Sequence, residues 1–143
     1  MRRDMIIDLP RTTFDKIEYQ LRKDNVSFHV EDNEFYLTDE FPVPCWVIIN
    51  QERNYVLIKM RKRIKTRRQD DEKKVLLLVN EMNKTFLPNS YYYDDGHLYA
   101  ENYQYLDRNG SKDKIVELIT ICTDAFAAAL QECDEFALIS SST

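Results

Sequence analysis

The sequence predicts an α+β protein, in which an antiparallel sheet carries three amphipathic helices in the order α-β-β-β-β-α-β-β-α. Apolar residues recur at helical spacing in three separate segments. Between those segments, short stretches of strand-like alternation are bounded by turn signals. With only 2 glycines and 4 prolines, the 143 residues contain no linker-like segment. We therefore expect one α+β domain over residues 1–143.

The first half of the chain predicts one helix followed by four strands. Phe14, Ile17 and Leu21 lie at helical spacing, which predicts a short amphipathic helix over residues 12–24. Two hairpins follow, with strands predicted at 27–31, 34–38, 45–50 and 55–64. The last two strands are so apolar that we expect both to be central and covered on both faces.

The second half predicts a helix, a tyrosine-rich hairpin and a long final helix. The acidic segment Asp70–Glu72 opens the middle helix, which buries the stripe Val75, Leu78, Val79, Met82 and Phe86. The hairpin spans residues 90–106 and turns at Asp94-Asp95-Gly96, where Gly96 is expected at positive φ. The final helix extends to about residue 135, with the stripe Ile115, Leu118, Ile119, Cys122, Phe126, Ala129, Leu130 and Cys133 on one face.

Composition and charge limit the classes of function. Hydrophobic residues make up 43% of the chain and charged residues 31%, as in an ordinary soluble domain. No apolar run approaches the roughly 20 residues that cross a bilayer, and Asp8 interrupts the only apolar patch near the N-terminus. We therefore expect a cytoplasmic protein without membrane contact. A net charge of −5 argues weakly against general nucleic-acid binding.

The chain shows no pattern of residues for covalent chemistry, metals or cofactors. Its 2 histidines, His29 and His97, lie far apart and have no nearby cysteines at zinc-ligand spacing. Two isolated glycines cannot form a phosphate-binding loop. Cys45, Cys122 and Cys133 are expected to be reduced and partly buried. The sequence therefore predicts a protein that is not an enzyme and has no cofactor or metal.

Tyrosines of the hairpin form the first candidate binding surface. Even spacing places Tyr99, Tyr103 and Tyr105 on one sheet face, together with His97 and Glu101. Tyrosine combines a large apolar area with a polar tip, which suits a partner or dimer surface. The candidate surface comprises Tyr91, Tyr93, Tyr99, Tyr103 and Tyr105. The alternative is a core face or aromatic pairing across the hairpin, which the strand preference of aromatic residues favours.

A basic run forms the second candidate surface. Lys59, Arg61, Arg63, Lys65, Arg67 and Arg68 form a candidate basic patch. In a strand, the first four of these share a face and could bind phosphates or an acidic partner. The alternative is a solvated strand end whose charge the carboxylates at Asp70–Glu72 partly neutralise.

The second half also resembles a known family. The apolar helix that ends in Asn80-Glu81-Met82-Asn83, the hairpin from Tyr91 to Leu106 and the long final helix resemble the YbjN family of proposed bacterial sensory transduction regulators. The element order is similar to that of type III secretion chaperones. The resemblance is best over residues 70–135. It implies a small cytoplasmic protein, often dimeric, that binds other polypeptides and has no catalytic site.

These observations predict a non-catalytic protein-binding protein of a chaperone-like or regulatory kind that acts as a homodimer. Its partners would be a second copy of the chain and a protein client of unknown identity. The alternative from another class is a protein that binds single-stranded nucleic acid through the basic run at residues 59–68, because cations and aromatic rings together form stacking platforms.

Overall fold

The computed structural model describes residues 13–38, 40–50, 52–53, 55–65, 71–105 and 114–135, and these follow the predicted element order. The helices are α1 (Thr13–Lys23), α2 (Asp71–Thr85) and α3 (Ile115–Glu135). The strands are β1 (His29–Glu31), β2 (Glu34–Leu37), β3 (Cys45–Asn50), β4 (Tyr55–Arg63), β5 (Ser90–Asp94) and β6 (His97–Tyr105). The predicted α+β class is confirmed.

The six strands form one antiparallel sheet in the order β1-β2-β3-β4-β6-β5. The first four strands form a meander, so the two predicted hairpins join through the pairing of β2 with β3. Strand β6 pairs with β4 from Tyr55↔Tyr105 to Arg63↔His97. The β5–β6 turn has positive φ at Asp95 (48°) and Gly96 (79°), as a tight two-residue hairpin turn requires.

The described helices all pack on the same side of the sheet, where the core lies. Burial alternates along β3, β4 and β6, so each strand has one buried face and one partly exposed face. The helices contribute their predicted stripes, including fully buried Ile17, Leu21, Met82, Ile119 and Phe126. The expectation that β3 and β4 are covered on both faces is wrong for the described part of the chain. The second face of these strands carries aromatic and aliphatic side chains that are only partly buried, such as Trp46 and Tyr55, and this explains why both strands are apolar throughout.

Asparagine side chains connect α2 and the following turn to the rest of the fold. Asn83 Nδ2 donates to the carbonyl oxygen of Tyr91 (3.0 Å), and the Tyr91 amide donates to Asn83 Oδ1 (2.7 Å). Asn89 Nδ2 donates to the carbonyl oxygen of Cys122 in α3 (2.8 Å). Asn102 Nδ2 donates to the carbonyl oxygen of Pro88 (3.0 Å). These bonds attach strand β5 and the turn before it to helices α2 and α3.

In the described part of the chain, no helix has the length and apolar character that a bilayer crossing requires.

Candidate functional site

The sheet face that no described helix covers, here called the open face, carries most of the exposed aromatic residues. The strand pairing places these side chains in rows that run across the sheet. One row joins Tyr36, Trp46, Lys59 and Glu101, and another joins Glu34, Ile48, Leu57 and Tyr103. Strand β4 extends about 26 Å from Tyr55 to Arg63, at about 3.3 Å per residue. The two ends of the open face are therefore far enough apart to differ in chemistry.

One end of the open face, here called the neutral half, consists of Ile48, Asn50, Tyr55, Leu57, Tyr103 and Tyr105. The Tyr55 ring packs edge to face against Tyr103 (centroids 5.3 Å apart) and Tyr105 (6.0 Å). Tyr103 is nevertheless 53% exposed and Tyr105 is 73% exposed. The neutral half is thus an apolar surface with phenol groups at its rim, borne on rigid paired strands.

The other end, here called the cationic half, alternates cations with aromatic rings. It contains Tyr36, Trp46, Lys59, Arg61, Arg63, Tyr92, His97, Tyr99 and Glu101. Tyr36 stacks on Trp46 (4.7 Å), and Tyr92 stacks on Tyr99 (4.8 Å). The Arg61 guanidinium lies 5.3 Å from the centre of the Trp46 ring, and Lys59 Nζ lies 5.2 Å from that of Tyr99. These distances are within the range of cation–π attraction.

The structure divides the predicted tyrosine surface between the two faces of the sheet. Tyr99, Tyr103 and Tyr105 share the open face, as their spacing predicted. Tyr91 and Tyr93 lie on the helix side instead, where Tyr91 is only 4% exposed and Tyr93 packs against the core. The Tyr91 hydroxyl donates to the carbonyl oxygen of Phe86 (2.8 Å). Both residues therefore leave the candidate surface, and Tyr92 takes their place.

Only part of the predicted basic patch lies on the open face. Lys59, Arg61 and Arg63 share that face, whereas Lys65 lies beyond the end of β4. Arg67 and Arg68 lie outside the described residues. Lys59 forms an ion pair with Glu101 (3.8 Å). Within the described chain, neither Arg61 nor Arg63 forms an ion pair.

Two phenols of the open face are held in their neutral form. Desolvation is the main cause that raises the pKa of Tyr92, and its hydrogen bond to Glu101 Oε2 (2.7 Å) raises it further. The pKa of Tyr103 is also raised, first by desolvation and then by the Glu101 carboxylate. Both phenols are therefore hydrogen-bond donors at neutral pH. The single O–H of Tyr92 is already donated to Glu101, so this phenol can only accept a hydrogen bond from a partner.

The described residues contain no metal-type cluster. No group of three or more histidine, cysteine, aspartate or glutamate side chains converges among them. Cys45 and Cys122 are free thiols in the core, fully buried on the helix side. The side chain of Cys133 lies outside the described residues.

The buried thiols predict a loss of stability at alkaline pH. Burial, with a smaller contribution from Cys122, raises the pKa of Cys45 to about 12, and burial raises the pKa of Cys122 to about 12, both from 9.0. The fold thus favours the neutral thiols, and this stabilisation is complete below pH 9 and lost as the pH rises towards 12. Urea unfolding should show a lower free energy of unfolding at pH 10.5 than at pH 8, by on the order of 2 kcal/mol for each of the two thiols.

The variant Cys122→Ala serves as the control for that titration. It should be less stable at pH 8, because it leaves a small cavity, but it should show a shallower decline between pH 8 and pH 10.5. Equal slopes in the two proteins would show that the Cys122 thiol does not contribute to the decline.

Comparison with known proteins identifies the fold. No protein-family model matches the chain, and no curated protein matches it in sequence. In structure, the chain is similar to the crystal structure of YbjN from E. coli, a protein described as a candidate transcription regulator. The TM-score is 0.71, with 88% of this chain and 94% of that chain covered, at 11% sequence identity. The chain therefore has the YbjN fold, and the predicted resemblance to YbjN is confirmed at the level of the fold.

Sequence reasoning missed the aromatic residues that the first half contributes to the open face. Tyr36, Trp46 and Tyr55 all lie there, together with Ile48 and Leu57. The signal was present in the length of the connection between β3 and β4, because that length sets the pairing of Asn50 with Tyr55 and hence of Ile48 with Leu57. This register places every second residue of β3 and β4, including Ile48 and Leu57, on the face that the described helices leave open.

Proposed function

We propose that this protein is a non-catalytic regulatory protein that binds polypeptides through the open face of its sheet, and that its first partner is a second copy of itself. The observation that carries the proposal is the neutral half, where exposed Tyr103 and Tyr105 border Ile48 and Leu57. Apolar patches of this kind on a rigid scaffold mark interaction surfaces. Description of YbjN as a candidate transcription regulator supports a regulatory role for a chain of the same fold.

The size of the open face is suited to a dimer. Six strands about 4.8 Å apart and up to nine residues long give a face on the order of 700 Å². A standard interface buries about 800 Å² on each partner, so the whole face is comparable in area to one side of such an interface. A twofold axis near Tyr103 would pack the two neutral halves against each other and leave the charged groups at the rim.

The variant Tyr103→Glu tests this interface. It places a charge at the centre of the proposed contact, so we expect light scattering to show a dimer for the original protein and a monomer for the variant at the same concentration. Tyr19→Glu is the matched control, since Tyr19 is similarly exposed (56%) but lies on helix α1. It should remain a dimer.

Three results would contradict the proposal. The original protein could be a monomer across the concentration range, or Tyr103→Glu could remain a dimer with an unchanged circular dichroism spectrum. Equal loss of self-association in both variants would also count against the open face, because it would indicate a general effect of the added charge.

A second candidate function, the binding of single-stranded nucleic acid, is favoured by the cationic half. There, Arg61 and Lys59 lie over aromatic rings, which is an arrangement typical of surfaces that bind unpaired bases and their phosphates. Phosphate binding weakens steeply with salt, whereas the apolar contact of the neutral half does not. Retention of an oligonucleotide at low salt and its release at high salt would support this function.

A further inference from the structure

A hollow of about 450 Å³ borders the cationic end of the open face, where the end of β4 meets the segment that precedes β3, and it reaches Leu130 of helix α3. Aromatic, proline and basic side chains line it, among them Tyr36, Trp46, Pro44, Arg61, Arg63 and His97. A smaller hollow of about 290 Å³ adjoins it and shares Trp46 and Arg61. The Trp46–Arg61 pair therefore forms a partition between two concave regions.

The charge of the larger hollow differs in sign from that of the whole chain. Among the described residues that line it are three cations, Arg61, Lys62 and Arg63, and no carboxylate. The whole chain carries −5. Among the described residues, the acidic groups of the open face include Glu34 in the adjoining hollow, Glu101 in its ion pair with Lys59, and Asp94 opposite His97. The hollow is thus a local anion-attracting region on an acidic protein.

Arg61 occupies a position that a planar ligand could take. Its guanidinium lies against the indole, and within the described chain it has no carboxylate partner to hold it there. At an exposed site such a contact contributes only about 0.5 to 1 kcal/mol. A flat aromatic group could therefore replace the guanidinium on the indole, while the displaced Arg61 turns to an anionic group of the same ligand. Arg63, on the same face of β4, would complete the contact with that anion.

We propose that this hollow binds a nucleotide, with its base on Trp46 and its phosphate between Arg61 and Arg63. The ligand could be a free mononucleotide or one unit of a single strand, since both present the same base and phosphate. This inference deepens the second candidate function: if the ligand is part of a single strand, the inference rests on the binding of single-stranded nucleic acid. It does not depend on self-association.

Trp46 is the only tryptophan in the chain, so its fluorescence reports on the two adjoining hollows that it lines. The probes are adenosine and uridine monophosphate, an oligothymidylate of about 12 nucleotides and inorganic phosphate, each titrated at low salt. We expect saturable quenching by a mononucleotide, by the oligonucleotide or by both, and none by phosphate. Arg63→Gln should weaken the binding by about tenfold or more, because it removes a charge-assisted contact with the phosphate. Arg53→Gln makes the same change in charge in the turn between β3 and β4, at the opposite end of β4, and should leave the binding unchanged.

The possible outcomes separate this inference from the functions proposed above. Quenching by the mononucleotide but not by the oligonucleotide would support the hollow and remove nucleic-acid binding. Retention of the oligonucleotide without a change in Trp46 emission, and without an effect of Arg63→Gln, would overturn the hollow and leave nucleic-acid binding intact. Equal effects of phosphate and nucleotide would overturn the base-binding role of Trp46. The same titration of Tyr103→Glu shows whether the site persists in a protein that does not self-associate.

Discussion

Replacement of Phe126 by alanine is expected to lower the free energy of unfolding by about 3 to 5 kcal/mol. Phe126 is fully buried on helix α3 and is among the largest side chains of the core. Its ring lies 6.2 Å from that of Tyr91, so it supports the strand that connects α2 to the sheet. Truncation removes this apolar contact and leaves a cavity that the surrounding helices and strands cannot fill without moving.

Urea unfolding of Phe126→Ala and Ile121→Ala gives the measurement and its control. Ile121 lies on the same helix but is 46% exposed, so its truncation should cost less than about 1 kcal/mol. Both variants change helix propensity in the same direction, which leaves burial as the main difference between them. Similar losses in the two variants would show that α3 does not pack on the sheet through the Phe126 face.

Much of the fold follows from local patterns in the sequence. The stripes of α2 and α3 recur at steps of three and four residues, and the buried residues Val75, Met82, Ile119 and Phe126 belong to them. Strand positions follow from alternation, and the positive φ of Gly96 follows from the turn chemistry. These features depend on residues close together in the chain, which is why the sequence alone predicts them.

Strand order and the covered face depend on contacts between distant residues. Nothing local shows that β6 pairs with β4 rather than with another strand, or that all the described helices pack on one side. The apolar runs of β3 and β4 fit two helix layers as well as one helix layer with an aromatic open face. The prediction of two covered faces was wrong because composition does not distinguish these cases.

The division of the tyrosines was within reach of the sequence. A two-residue turn at Asp95-Gly96 pairs Asp94 with His97, and the same register then pairs Tyr92 with Tyr99 and Tyr91 with Ala100. Tyr91 must therefore face the core with Ala100, while Tyr92 shares the open face with Tyr99. The prediction applied alternation within β6 but did not extend it across the turn.

Replacement of Asn89 by aspartate is expected to lower the free energy of unfolding at pH 7 by about 3 kcal/mol. Asn89 is 2% exposed, and its Nδ2 donates to the carbonyl oxygen of Cys122 (2.8 Å) and to the Tyr91 hydroxyl (3.3 Å). No donor among the described residues reaches its Oδ1. An aspartate has nearly the same shape, but it would bring a buried carboxylate against the Cys122 carbonyl oxygen, and none of the described residues near Asn89 supplies a cation to balance it.

The pH dependence distinguishes this electrostatic cause from a loss of packing. Burial should raise the pKa of the introduced carboxyl above its usual value near 3.9, so its neutral form is the one that the fold accepts. Protonation also restores a donor that can reach the Cys122 carbonyl oxygen. The difference in stability between the original protein and Asn89→Asp should therefore be small near pH 4 and grow as the pH rises through the raised pKa.

Urea unfolding at pH 4.5 and pH 7 tests this expectation, with Asn80→Asp as the matched control. Asn80 is exposed on helix α2, so the same substitution there should change the stability by less than about 0.5 kcal/mol at either pH. A large deficit of Asn89→Asp that stays constant between the two pH values would indicate steric disruption instead of a buried charge. A deficit no larger than that of Asn80→Asp would show that the amide of Asn89 does not hold the α2–β5 connection to helix α3.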